Sequence, residues 1–302
     1  MKQAAPGITG SGSLASGFGR IAGVFTLFRS AAAKNAAAVN SPVPVPRRKP
    51  AKDPVPASQT LRLRLEFSKA ADLSRVQQML SAPLKEQIDP HNYVAVRESE
   101  ALKAALDLGG GAFLTGPGSD IFSMAMSYEI REPGKKGAAA QKPDYIEMGS
   151  TMSRTPGYNA AQLTLAALTL KQWWDNPPEN MFVCEVIPSN AASIRSYSAL
   201  GWRPITSRAL MKDLFFLCNE TITSHDKNRE TLWFYCDDSV ITHQARILLN
   251  FMDQGGLLNR QSRSRIAVDF SALDAAGLTR RRLEAMAIGT TDRRKLQAIG
   301  PR

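Results

Sequence analysis

The chain has 302 residues, is 43% hydrophobic and 22% charged, and sets 38 Lys and Arg against 27 Asp and Glu, a net charge of +11. At roughly 100–200 residues per domain this is one large domain or two small ones, and the composition excludes a wholly disordered chain. The charge is uneven: Lys2, Arg20, Arg29, Lys34, Arg47, Arg48, Lys49 and Lys52 all precede the first acid, Asp53, so the body is nearly neutral and a nucleic-acid binder is a poor first reading.

The three cysteines, Cys184, Cys218 and Cys236, form no Cys-x-x-Cys pair, and His91, His225 and His243 join no ligand motif. Neither a disulfide scaffold nor a metal site is expected. Buried thiols suit a reducing compartment, so a cytoplasmic protein is expected. Export or organelle targeting through residues 1–52 is the alternative, because that head is rich in Ala, Ser, Gly and Pro and lacks acids. No apolar run approaches the roughly 20 residues of a membrane helix, so no integral membrane association is expected.

Residues 41–58 carry six prolines and read as an extended linker. Folded structure is expected from Gln59. Leu61, Leu63, Leu65 and Phe67 alternate with polar residues and predict a strand. Ser68 then opens a helix bearing Leu73, Val76, Met79 and Leu80. Val94–Arg97 is a short extended piece, and Glu98–Leu108 a helix stopped by Gly109–Gly111. Ala112–Thr115 and Ile121–Ile130 flank a Gly-Pro-Gly-Ser-Asp turn and predict a hairpin. Residues 132–143 form a loop. Asp144–Ser153 is the next strand, followed through Arg154-Thr-Pro-Gly157 by a helix to about Trp174. Met181–Ile187 is an apolar strand and Asn190–Leu200 a helix ended by Gly201. Leu214–Asn219 and Thr231–Cys236 read as the last two strands. Residues 238–302 read as a helical extension, with helices over Ser239–Gln254 and around Ser271–Ile288 and a basic cluster at Arg280–Arg282 and Arg293–Lys295. The order β-α-α-β-β-β-α-β-α-β-β predicts an α/β (α+β) domain over 59–237 with a mixed, mostly antiparallel sheet flanked by helices. A basic head and linker over 1–58 precede it.

Two local features carry chemistry. At Glu147-Met-Gly-Ser-Thr-Met-Ser-Arg-Thr-Pro-Gly157-Tyr-Asn-Ala a strand runs directly into a helix. The first helical turn leaves backbone N–H groups unpaired, and with the helix dipole and Arg154 these suit an anion. At Pro188-Ser-Asn190-x-x-Ser193-x-x-x-Tyr197-x-x-Leu200-Gly201-Trp202 a strand opens into a helix that lines up Asn190, Ser193 and Tyr197 on one face.

Together these features resemble the Gcn5-related N-acetyltransferase (GNAT) superfamily. Asn190-x-x-Ser193-x-x-x-Tyr197-x-x-Leu200-Gly201-Trp202 is similar to its fifth-strand motif, N-x-x-[SA]-x-x-x-Y-x-x-L-G-[FW]. Arg154-Thr-Pro-Gly157-Tyr-Asn159 resembles its acetyl-CoA motif, [RQ]-x-x-G-x-[GA], except that Asn159 stands where Gly or Ala is usual. The resemblance covers about Leu61 to Cys236. It implies a sheet splayed between the fourth and fifth strands, with acetyl-CoA as acyl donor in the gap and no metal. It implies that Met152 and Ser153 offer backbone groups to the pantetheine arm, and that Arg154, Thr155, Gly157, Tyr158, Asn159 and Ala160 wrap the diphosphate. Asn190 would bond the cofactor arm, Ser193 would sit beside it, and Tyr197 would serve as acid to the departing thiolate. Glu147 is the candidate general base from its place on the fourth strand, with Glu129 and Glu185 as alternatives. Cys184 is left to the core.

The implied reaction is direct attack of an amine, from a small molecule or a protein lysine or N-terminus, on the thioester carbonyl. The alternative is a catalytically weak acyl-CoA-binding or interaction protein, in the manner of a secreted effector. The C-terminal helices would cover the substrate mouth or build a homodimer. The basic head would contact anionic surfaces.

Overall fold

A computed structural model describes residues 61–131, 143–154, 156–176, 181–218, 230–259 and 261–300. All lie in the unit Ala57–Arg302; the other unit of the chain is Met1–Pro56. The expectations for residues 1–58, the loop after Arg131, Thr155 and the loop before Glu230 fall wholly or mostly outside the described residues.

Among the described residues the chain runs β1 (Arg62–Phe67), α1 (Leu73–Met79), α2 (Ala82–Ile88), α3 (Ser99–Asp107), β2 (Gly111–Thr115), β3 (Ile121–Ile130), β4 (Tyr145–Ser153), α4 (Ala160–Asp175) and β5 (Met181–Val186). It continues through α5 (Ala191–Ala199), β6 (Arg203–Pro204), α6 (Arg208–Cys218), β7 (Leu232–Cys236), α7 (Asp238–Asp253), β8 (Gly256–Leu258) and β9 (Arg265–Asp269) to α8 (Ser271–Ala275), α9 (Arg280–Ala287) and α10 (Arg293–Gln297). The strands form one sheet in the order β6-β7-β5-β4-β3-β2-β1-β9-β8. Its pairs are antiparallel except β4 with β5 and β1 with β9.

Helices cover both faces, so the central strands carry buried side chains on both sides. On one face Leu63, Leu65, Met148 and Phe234 pack with Leu163 and Leu170 of α4 and with Leu248 of α7. On the other, Phe113, Met126, Val183 and Trp233 pack with Val76 of α1, Leu106 of α3 and Leu214 of α6. This is the α/β architecture expected from the sequence.

One predicted strand is wrong. Of the predicted strand Leu214–Asn219, the described part, Leu214–Cys218, is the last part of helix α6. In a strand Leu214, Phe216 and Cys218 would share a face. Instead Leu214 and Cys218 are fully buried and Phe216 is 75% exposed, the period of a helix. A short apolar run does not distinguish the two, and here the longer amphipathic stretch from Arg208 decides.

The extension holds α7 as expected, but the single helix expected around Ser271–Ile288 is two, α8 and α9, broken where Gly277 takes φ +75°, and there are two strands that were not expected. β8 and β9 form a hairpin, and β9 pairs in parallel with β1, Leu63 opposite Val268. Gly256 makes this possible: a Cβ there would lie 2.2 Å from the Ile266 carbonyl oxygen. Leu257, Ile266, Val268, Leu283 and Met286 then join the core of the first strands. Part of the basic tail is spent internally. Arg282 lies over the Trp174 ring at 4.9 Å and Arg293 over Trp173 at 4.5 Å, a cation–π pair that docks the tail onto α4.

Candidate active site

β4 and β5 are paired only at Tyr145–Met181, Ile146–Phe182 and Glu147–Val183, although both strands continue. Beyond that point Gly149 and Thr151 face Glu185 and Val186 across a cleft of about 60 Å³. At ~30 Å³ per water, that space holds about two water molecules. The cause lies on β4. Met124 faces Met152 and Met126 faces Gly149, so β4 carries one residue more than β3. Such a bulge bends the strand that bears it. Ser150 sits in it at φ 44°, and its hydroxyl is bonded to the Tyr128 hydroxyl at 2.8 Å.

Helix α5 brings three expected residues to this cleft. Asn190 caps the helix, its Oδ1 accepting the Ser193 N–H at 3.0 Å, which leaves the amide donor for any ligand. Ser193 and Tyr197 also line the cleft. Tyr197 packs edge-on to Trp202 at 5.4 Å and over Phe234 at 6.1 Å, and its hydroxyl donates to the Met148 carbonyl at 3.1 Å. Burial pushes the phenol well above its ordinary range, with neighbouring Cys184 acting the same way. Tyr197 is therefore a protonated donor. Burial also raises the Cys184 thiol, which stays neutral and poorly nucleophilic.

Glu147 reaches the cleft, but its Oε2 is held 2.5 Å from Arg97 Nη2, with both side chains almost wholly buried. Arg97 also donates to the Cys218 carbonyl at 2.9 Å and stacks on the Tyr128 ring at 4.1 Å. The pair is buried and fixes both side chains in the cleft floor. Glu185 lines the same cleft from β5. Glu129 does not; it pairs with Arg131 at 2.7 Å on the far end of β3.

The sequence reading missed Arg97, Tyr128, Ser150 and Tyr93. Tyr93 ends a strap across the cleft mouth: Asp89 accepts the N–H groups of Tyr93 and Val94 at 2.8 and 2.7 Å, and the Tyr93 hydroxyl donates to the Ser189 carbonyl at 3.2 Å. The one available signal was a lone arginine closing the extended piece Val94–Arg97.

The β4–α4 turn lies at the other end of β4. Met152 is buried, is not part of the cleft lining, and has its carbonyl taken by Ser123 Oγ at 3.0 Å. Ser153 is opposite Ser123 on β3. The Arg154 N–H donates to the Phe122 carbonyl at 2.7 Å, while its Nε is buried without a partner among the described residues. Gly157 has φ +80° and Asn159 φ 58°, and no side chain caps α4 at Asn159 or Ala160. The β8–β9 hairpin packs over this turn. A Cβ on Gly157 would lie 2.9 Å from the Asn259 amide, and the Tyr158 and Ser264 hydroxyls are 2.6 Å apart. Among the described residues no group of His, Cys, Asp and Glu could hold a metal ion, and no helix is long and apolar enough to cross a membrane.

The sheet, parted between β4 and β5 and flanked by helices, is the GNAT-like mixed α/β architecture expected from the sequence. No protein-family model and no curated protein matches the sequence. Solved structures similar to the chain include the diaminobutyrate acetyltransferase of Paenibacillus lautus, in complex with L-2,4-diaminobutyric acid and coenzyme A (13% identity, 57% of this chain and 93% of that one, TM-score 0.37). Others are an N-acetyltransferase of Staphylococcus aureus (11% identity, 58% and 97%, TM-score 0.37) and a GNAT-family acetyltransferase of Bacillus anthracis (14% identity, 59% and 94%, TM-score 0.33).

Proposed function

We propose that the protein is an acetyl-CoA-dependent N-acetyltransferase that passes the acetyl group to a primary amine. The observation that carries this reading is the parting of β4 from β5 beyond Glu147 and Val183, with Tyr197 lining the gap. The Arg154 Nε, without a partner among the described residues, and the uncapped first turn of α4 are donors suited to the diphosphate.

The amine nitrogen attacks the thioester carbon and the carbon–sulfur bond breaks. The electron pair leaves on sulfur, and the nitrogen sheds one proton. Tyr197, held neutral by its surroundings, gives its proton to the thiolate by turning from the Met148 carbonyl. Glu147 and Glu185 both line the cleft, and a carboxylate of this pair takes the amine proton. Beyond Glu147 the edge of β4 has no ladder partner on β5, and an amide there would support the carbonyl oxygen in the transition state.

The test is calorimetric binding of acetyl-CoA followed by an acetyl-transfer screen over small amines, aminoacyl compounds and protein lysines. Binding with turnover that falls in Tyr197→Phe supports the reading. Binding without turnover on any amine establishes the acyl-CoA-binding alternative, which the narrow cleft and the engaged Tyr197 hydroxyl favour. Absence of binding overturns both.

A further inference from the structure

The parting of β4 from β5 turns on a residue whose backbone lies outside its ordinary range. Ser150 has φ 44°. Serine, unlike glycine, disfavours that left-handed region, because its Cβ crowds the following carbonyl oxygen. Backbone held there persists only where its surroundings over-determine it. The contact that does so here comes from β3: the Tyr128 hydroxyl lies 2.8 Å from the Ser150 hydroxyl.

Tyr128 is itself held fast. It is buried, with the Arg97 guanidinium over its ring at 4.1 Å. The ring also lies along the β4 backbone, where a Cβ on Gly149 would be 3.5 Å from its Cε2. In the β3–β4 ladder Tyr128 stands opposite Glu147, the last β4 residue paired with β5, so its hydroxyl meets β4 where the two strands separate. Burial raises the phenol above its ordinary value, and the hydroxyl keeps its proton. Ser150 lines the cleft and Tyr128 does not, so whatever Tyr128 does for a ligand there passes through Ser150.

Resting on the acetyltransferase reading, we propose that Tyr128 is a positioning residue, whose hydroxyl holds Ser150 left-handed and so keeps β4 away from β5 where the thioester arm of acetyl-CoA would lie. Without that bond Ser150 relaxes toward extended backbone, the extra residue no longer turns β4 outward, and the strands draw together beyond Glu147 and Val183. A ligand then binds only the molecules still parted, and its apparent affinity falls by that fraction. Glycine at position 150 removes the need for the bond, because it takes positive φ about as readily as negative.

The experiment titrates the full chain with acetyl-CoA by calorimetry, unsubstituted and as Tyr128→Phe, Ser150→Ala, Ser150→Gly and the two pairings of Tyr128→Phe with a serine change. Urea melts are recorded on the same proteins. Tyr128→Phe keeps the ring beneath Arg97 and removes only the hydroxyl. It should lower the affinity about fivefold, the equivalent of one ordinary hydrogen bond. Adding Ser150→Ala should lower it no further, because both changes remove the same bond. In the Ser150→Gly background Tyr128→Phe should cost no affinity. A tyrosine that only packs would lower the urea midpoint and leave the affinity where it was. Unchanged affinity in Tyr128→Phe, or an equal loss with and without Ser150→Gly, overturns the proposal. Should Tyr128→Phe fail to fold, Ser150→Ala binding as tightly as Ser150→Gly overturns it instead. If the unsubstituted protein binds no acetyl-CoA, the acetyltransferase reading falls and the melts alone judge the contact. Tyr128→Phe should then lower the midpoint in the serine protein and not in Ser150→Gly, and an equal drop in both overturns the hold on Ser150 as well.

Discussion

The sheet has two parallel seams, β4–β5 and β1–β9, and each is paired over three residues. They end for different reasons. β9 stops at Asp269, so its ladder ends with the strand. β4 and β5 both continue past their last pair, and the bulge at Ser150 carries β4 away. One seam is a closure and the other an opening. A hollow of about 600 Å³ lies beside β1–β9, far larger than the roughly 60 Å³ cleft. It is bordered by Arg64, Glu66 and Asp269, which already pair among themselves. Volume is therefore a poor guide to the chemistry here. Parted backbone, lined by Asn190, Ser193 and Tyr197, is the better one.

The closing seam should break with the largest effect. Ending the chain at Asp237 removes α7, β8, β9 and the helices α8 to α10, and exposes Leu63 and Leu65. Each buried Leu or Ile is worth about 1.5–3 kcal/mol, and a native domain holds only about 5–15 kcal/mol in all. The truncated chain should show no cooperative thermal transition by circular dichroism. A truncated chain that melts sharply would show that β1–β9 is dispensable.

The opening seam is next. Glu147→Gln leaves Arg97 buried without its counter-charge and should cost about 3–5 kcal/mol in a urea melt. Combining it with Arg97→Met should recover most of that loss. If the single change is neutral, the pair does not hold the cleft floor. Tyr197→Phe should lower kcat about 100-fold, the low end for a lost general acid, because its hydroxyl also serves Met148. The same change should cost only about 1 kcal/mol in stability.

Smaller effects test the edges of each seam. At β1–β9, the Ser271 backbone N–H and hydroxyl, with Arg64 behind them, hold Asp269 below the usual carboxylate value. A depressed folded value means stability that is fully present above the unfolded pKa of about 3.9 and is lost as pH falls through the folded one. Asp269 is half exposed, so Asp269→Asn should cost well under about 1 kcal/mol near pH 6 and nothing in strong acid. A cost that persists below pH 2 would place its origin elsewhere. At the far end of β4, Asn159→Gly relieves a left-handed residue that makes no cap bond, so stability should change by only a few tenths of a kcal/mol. Acetyl-CoA affinity should not fall.

Much of this was legible in the chain itself. Alternation named β1, the Gly-Pro-Gly turn named the β2–β3 hairpin, and Asn190 to Trp202 named the helix that lines the cleft. Local pattern is enough where one face of one element settles the matter. It fails where two segments must meet. Leu214–Cys218 read as a strand because five apolar residues lack the length to show a period. β8 and β9 went unseen because three- and five-residue strands become strands only when β1 lies beside them. Arg97 could not be paired with Glu147, fifty residues away, from either residue's neighbours. The sequence by itself determined most of the elements of the first 237 residues and the motif that points to an acyltransferase. Only the tertiary structure decided that Glu147 is bound to arginine and that the extension closes the sheet. Hydrogen-bond period and capping act within a few residues, whereas ion pairs, seams and cavities arise only between segments the fold brings together.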